Sequence, residues 1–210
     1  EWYLKELTAA WTKAIASDLE SLGYVSEINK QRDFYRRYVL PNVSKGNRVF
    51  VVISDGLRYE VAAELTEVLG RETKGKATLE SLQAIFPNTT RFGMAALLPG
   101  KEISVTDKLE VLIDSQSTFV TKERHAVLTA KNPNSIAVTY KDLLRMKKHE
   151  RRDLVAGKEI VYIYHNTIDA LGDKLATESK VFEACENAIN ELTGIVKIIV
   201  NGCTGNQSRL

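Results

Sequence analysis

"VFVVISDGLRYE", residues 49–60, runs five apolar residues into a Ser-Asp-Gly turn and then into a charged segment. The apolar run is continuous rather than alternating, the pattern of a strand covered on both faces inside a parallel sheet. Val61, Ala62, Leu65, Val68 and Leu69 then keep helical spacing up to Gly70, which reads as the stop. Strand, turn and helix in that order make an α/β unit with Asp55 at the carboxyl end of its strand. In open α/β sheets ligands gather at that edge, because side chains and helix N-termini converge there.

Working outward, "EIVYIYH" (159–165) repeats the pattern of an apolar, β-branched and aromatic run that ends on a polar group. It leads into "NTIDALGDK", where Asp169 and Asp173 lie four apart with Gly172 between them. A third segment, "FPNTTRFGMAALLPG" (86–100), lets Asn88 or Thr89 cap a short helix ended by Pro99, with the Thr90 hydroxyl at its positive end. Each feature has a plain reading alone: Asp-Gly is a turn signal, two aspartates four apart often lie on a solvated face, and threonine often caps helices. Taken together they fit one chemistry. Oxygen ligands bind divalent metals, and a metal beside a threonine lowers the pKa of its hydroxyl enough to make a nucleophile. A two-metal phosphoryl-transfer site would use Asp55, Thr90, Asp169 and Asp173. No GxxxxGK[ST] loop, GxGxxG after a strand, HExxH or GxSxG is present to support a competing chemistry.

With 210 residues, 44% of them hydrophobic, the chain is long enough for one sizeable core or for one domain plus an appended element. Its 29 basic and 27 acidic residues nearly cancel, so no overall field favours nucleic acid or a membrane. The apolar runs fall short of the roughly 20 residues of a spanning helix, and the N-terminus has no signal-peptide pattern. A cytoplasmic location without a membrane partner is therefore expected. Cys185 and Cys203 lack CxxC spacing and read as free thiols, Cys185 in the core.

The first 40 residues are rich in helix formers. Trp2, Leu4, Leu7, Trp11, Ile15, Leu19 and Leu22 recur at three- and four-residue steps, and "EINKQRDFYRRYVLP" (27–41) is a second helical stretch whose basic side reads as a solvated face. The loop "PNVSKGN" (41–47) separates a helical segment, 1–47, from a main domain, 48–210. Within that domain "TLESLQAIF" (78–86) reads as strand or helix, and "EVLID", "STFV" and "SIAVTY" as short strands. "DLLRMKKHERRDLV" (142–155) reads as a basic connection or helix. Phe182, Cys185, Ile189, Leu192, Val196 and Ile199 predict a long closing helix, and "CTGNQSRL" (203–210) a polar, frayed tail.

The motifs "VFVVISDGLRYEVAAEL", "FPNTTRFGMAALLPG" and "YIYHNTIDALGDKLATESKVFEACENAINEL" resemble, in order, those of the PglZ domain of bacterial BREX-type phage defence, a member of the alkaline phosphatase superfamily. The resemblance covers about residues 48 to 200 and implies an alkaline phosphatase-like α/β sandwich, its mainly parallel central sheet flanked by helices and preceded by a helical segment. It implies that Asp55 binds one metal, that Thr90 (with Thr89 next in line) is the nucleophile bridging two metals, and that Asp169 and Asp173 bind the other. Asp173 stands where the superfamily more usually has His. Two zinc ions in a complete domain, a phosphate ester substrate such as a nucleotide or nucleic acid, and other phage-defence proteins as partners follow from the same resemblance.

One departure matters. The superfamily completes its sites with an Asp-His pair after a later strand and one further His, whereas the histidines here are His125, His149 and His165, none in that context. His165 reads as a hydrogen-bonded structural residue at a strand end. The chain is therefore expected to hold the N-terminal part of such a domain, with weak or no metal occupancy and activity by itself. The alternative is a non-catalytic structural or interaction module of a multi-protein phage-defence assembly. A receiver-like role for Asp55 as phospho-acceptor fits poorly, since no acidic pair near the sheet's start and no strand-end Lys accompany it.

Overall fold

Whether the 49–53 run is buried on both faces decides the architecture, and it is. In the computed structural model, which describes residues 2–172, 178–203 and 208–209, the first half of the chain forms α1 (Thr8–Leu22), α2 (Leu40–Val43), β1 (Arg48–Ser54), α3 (Tyr59–Glu72), α4 (Thr90–Ala96), β2 (Ile103–Val105) and β3 (Val111–Ile113). The second half forms β4 (Gln116–Ser117), α5 (Thr121–Lys131), β5 (Ser135–Thr139), α6 (Tyr140–Arg145), α7 (Lys148–Val155), β6 (Ile160–His165), α8 (Thr167–Gly172), α9 (Glu178–Ile198) and β7 (Ser208–Arg209). The central sheet is parallel with strand order β5-β6-β1-β7, and β2, β3 and β4 make a separate small antiparallel sheet.

Strand periodicity sorts the side chains into two cores. Val49, Val51 and Ile53 of β1, with Ile160, Tyr162 and Tyr164 of β6, pack against Met94, Ala95 and Leu98 around α4, Val127 and Leu128 of α5, and Val111 and Ile113 of β3. On the other face Phe50, Val161 and Ile163 pack against Leu143, Val155 and the α9 residues Leu192 and Ile195. A helix layer on each face is the solution expected for strands apolar at every position. Tyr162, buried in the first core, donates from its hydroxyl to the Leu97 carbonyl at 2.8 Å and so ties the end of α4 to the sheet. Val39, fully buried, belongs to this first core, with Phe34, Tyr35 and Val43 packed beside it.

Several sequence expectations need correction. Segment 78–86 is neither helix nor sheet strand. It crosses residues 25–31 as extended chain pinned by Gln83, which accepts from the Val25 amide through Oε1 and exchanges main-chain bonds with Asn29 and Gln31. "STFV" contributes only Ser117 to a strand, because Thr118 turns inward to donate to the Val111 carbonyl. Residues 142–155, read as a basic connection or helix, are helical, divided between α6 and α7. Helix α3 runs through Gly70 to Glu72. The frayed tail instead adds Ser208 and Arg209 to the sheet beside Arg48 and Val49. Cys185 is half-buried rather than core. The N-terminal stretch is helical, yet Trp2 (67%), Leu4 (76%) and Trp11 (55%) are exposed, so among the described residues most of its apolar stripe is uncovered.

Burial of β6 on both faces predicts that Ile163→Ala costs about 2–5 kcal/mol of stability, seen as a lower urea midpoint at unchanged slope. A wild-type midpoint for that variant would mean that the second core is not formed as described.

Candidate active site

Asp55 continues the parity of Val49, Val51 and Ile53, and therefore turns toward the α4 and α5 side of the sheet. Its amide still donates to the His165 carbonyl at 2.9 Å, so the ladder holds it at the strand end. There it lines a cleft of about 1130 Å³ together with Thr90, Arg124, Tyr164 and Asp169. The turn after β1 needs glycine. Gly56 has φ +75°, and a Cβ there would meet Ile168 Cγ2 at 3.2 Å and the Asp169 amide nitrogen at 3.4 Å. That close approach of the β1 turn to the first turn of α8 is what brings Asp169 to Asp55.

The electrostatics follow. Burial, and then the negative charge of Asp169, raise the Asp55 carboxyl above the ordinary aspartate range, while the Gly56 amide, the Arg124 charge and the Thr90 hydroxyl act in the opposite direction. Thr90 opens α4. Thr89, its N-cap, makes no side-chain capping bond and does not line the cleft, so of the two threonines Thr90 is the one set beside Asp55. Asp169 lines the same cleft, half-buried. Asp173 lies outside the described residues.

The donor set is oxygen-only, two carboxylates and a hydroxyl, which matches a hard or borderline divalent cation. A half-buried carboxylate raised by a like charge is also an electrostatic position that a cation would stabilise. Among the described residues no group of three His, Cys, Asp or Glu converges, so the shell assembled by these residues is partial.

Behind the carboxylates lies a second network. His165, in register with Ser54, is buried on the α9 face. Its Nδ1 is 2.9 Å from Ser54 Oγ and its Nε2 2.7 Å from Glu191 Oε2. The same Glu191 oxygen accepts from Thr167 Oγ1 at 2.5 Å. One histidine and one glutamate thus brace the residue before Asp55 and the helix turn that carries Asp169, consistent with the structural role read for His165.

Arg124 lies outside the three motifs, and Tyr164 and Glu191 stand inside the 162–192 stretch without a chemical signature of their own. The available signals are positional: Arg124 precedes the buried pair Val127 and Leu128 by three and four residues, and Glu191 falls on the stripe of Ala184, Ala188 and Ile195. A charge on a buried helix face needs a partner, and that is the clue.

Parallel α/β layers with a carboxyl-edge cleft are an arrangement that many ligand-binding α/β domains share. A family model described as the BREX system PglZ alkaline phosphatase-like domain matches residues 34–208, and the chain belongs to that family. It is 39% identical over 199 residues to the alkaline phosphatase-like protein PglZ of Bacillus cereus (strain H3081.97), covering 95% of this chain and 23% of that protein. It is 38% identical over 209 residues to the alkaline phosphatase-like protein BrxZ of Escherichia coli O9:H4 (strain HS), covering 97% of this chain and 24% of that protein. The chain therefore spans about a quarter of the length of these relatives. No solved structure matches it.

Two outcomes are expected. Because the folded-state pKa of Asp55 is raised, its contribution to stability is fully present below the reference value of 3.8 and is lost as pH rises through the folded value. Asp55→Asn should therefore raise the melting midpoint of metal-free protein at pH 7, with the gain vanishing near pH 3.5; no difference at pH 7 would contradict the crowded carboxylates. Separately, Glu191→Leu strips His165 and Thr167 of their shared acceptor and should cost about 1–3 kcal/mol in chemical denaturation.

Proposed function

We propose that this chain forms part of a metal-dependent phosphoric ester hydrolase, a phosphatase or phosphodiesterase of bacterial phage defence, in which Thr90 is the nucleophile. The observation that carries the reading is the meeting of Thr90 and Asp169 with Asp55 in one cleft at the carboxyl edge of the sheet. Asp55, Asp169 and Asp173, with the Thr90 hydroxyl, are the residues that would hold two divalent cations, zinc by family resemblance. Such cations lower the pKa of a neighbouring hydroxyl and offset charge on the transferring phosphoryl group. The chain's own part is positioning. Asp55, fixed by the ladder, holds Thr90 at the cleft wall. Thr90 Oγ loses its proton to water and bonds to phosphorus as the ester oxygen leaves with a proton from solvent, and water then cleaves the phosphothreonine. A cleft of about 1130 Å³ is roomier than a phosphate needs and takes a nucleotide-sized substituent.

A second reading, a non-catalytic platform for other defence proteins, draws on the uncovered stripe of Trp2, Leu4 and Trp11 and on the partial ligand shell. Metal content and hydrolysis of nitrophenyl phosphate mono- and diesters, measured on the natural full-length protein, separate the two. Thr90→Ala should lower the rate by about 10³-fold or more. Absence of bound metal together with absence of turnover in the wild type would leave only the platform.

A further inference from the structure

One wall of the cleft has no part in the ester chemistry. Phe119, between β4 and α5, lines the cleft with Arg91 and Lys108, yet 62% of its surface is exposed. A lone exposed aromatic is ordinary on a protein surface, but this one is anchored. The Phe119 amide donates to Glu123 Oε2 at 2.8 Å, and its carbonyl accepts from Arg124 Nη2 at 2.8 Å. The same Glu123 oxygen accepts from the Ser117 hydroxyl at 2.7 Å and from the Val120 amide at 3.1 Å. The main chain on both sides of the ring is therefore tied down while the ring itself stays largely in solvent.

Arg91 supplies a second, independent observation. Its guanidinium carbon stands 5.3 Å from the centre of the Phe119 ring, within cation–π range, and its Nη1 donates to the Leu109 carbonyl at 3.4 Å. Leu109, 70% exposed, lies in the turn between β2 and β3, flanked by Lys108 and Glu110, both of which line the cleft. It holds φ +60°, a left-handed backbone that leucine rarely adopts and that recurs at ligand sites. Arg91 thus joins α4, this turn and the ring into one rim. Because Arg91 directly follows Thr90, the ring lies about one arginine side chain away from that residue. A ribose sets about the same span between a phosphate and its base. An aromatic face beside a cation suits a flat, electron-rich ring attached to an anionic group, which a saturated or branched substituent does not match.

We propose that Phe119, flanked by Arg91, is a stacking platform at the rim of the cleft that selects phosphate esters carrying a planar base, as a nucleotide does. This deepens, and rests on, the reading of the cleft as a phosphate-ester site. Phe119 determines specificity here and takes no part at the reacting atoms. Its main chain is fixed before any ligand arrives and a phenyl side chain has only two torsions to order, so stacking on it costs little entropy. Every base has a π-face, so such a platform favours bases over aliphatic groups without choosing strongly among bases.

Two probes isolate the platform: analogues of adenosine 5′-monophosphate and of ribose 5-phosphate in which a methylene group replaces the ester oxygen, so that neither is hydrolysed. Both are titrated calorimetrically into the natural full-length protein. The wild type should bind the adenosine analogue about tenfold more tightly than the ribose analogue. Phe119→Trp should keep that ratio, whereas Phe119→Ala and Phe119→Leu should bring it close to one. Leucine is the sharper variant, because it keeps apolar bulk and removes only the flat ring. The bonds that anchor residue 119 are main-chain bonds and survive all three substitutions. A wild-type ratio near one overturns the proposal, as does a tenfold preference that persists in Phe119→Leu, or failure of the wild type to bind either analogue at millimolar concentration. A preference that depends on Phe119 without cleavage of any ester upholds the platform and sinks the hydrolase. Ester cleavage by a wild type that does not distinguish the two analogues does the reverse.

Discussion

The parallel pairing of β1 with β6 is the constraint on which the rest depends. Six register pairs, from Val49 with Ile160 to Ser54 with His165, end the two strands at the same level. Because both are apolar at every interior position, helices must cover both faces, and the only places for polar chemistry are the strand ends. Asp55 leaves one end and the turn to Asp169 leaves the other. The main-chain bond from Asp55 to His165 then fixes their relative height, and Gly56 lets the two turns touch.

That arrangement is costly in isolation. Placing a half-buried carboxylate against a second negative charge runs against the preference of both groups for water, and the raised Asp55 carboxyl records it. The fold tolerates this because His165 and Glu191 brace the segments from behind, through bonds to Ser54 and Thr167. Arg124 supplies a positive charge in front. Charge is thus concentrated at one sheet edge, with apolar packing on both faces of the sheet behind it.

Much of this was legible in the amino-acid sequence, and unevenly. The runs at 49–53 and 160–164 announce doubly covered strands by composition alone, and Asp55, Thr90 and Asp169 stand out as polar residues at element ends. Segment 78–86 was not legible, because its extended form rests on Gln83 reaching residues 25–31. The tail misled for the same reason: Ser208 and Arg209 form a strand only by virtue of β1 beside them. The stripe on α1 gave the helix correctly but says nothing of what covers it.

By itself, then, the sequence determined local matters: which stretches are strands, which are helices, and which side chains stand at their ends. Those follow from periodicity and turn chemistry within a dozen residues. Only the tertiary structure decided which of those ends meet. Thr90 rather than Thr89, Arg124 with Tyr164, and Glu191 with His165 are pairings between segments far apart in the chain, set by strand parity and by the register of β1 on β6. No local pattern encodes such a choice, because its free energy comes from burying two faces of one sheet at once.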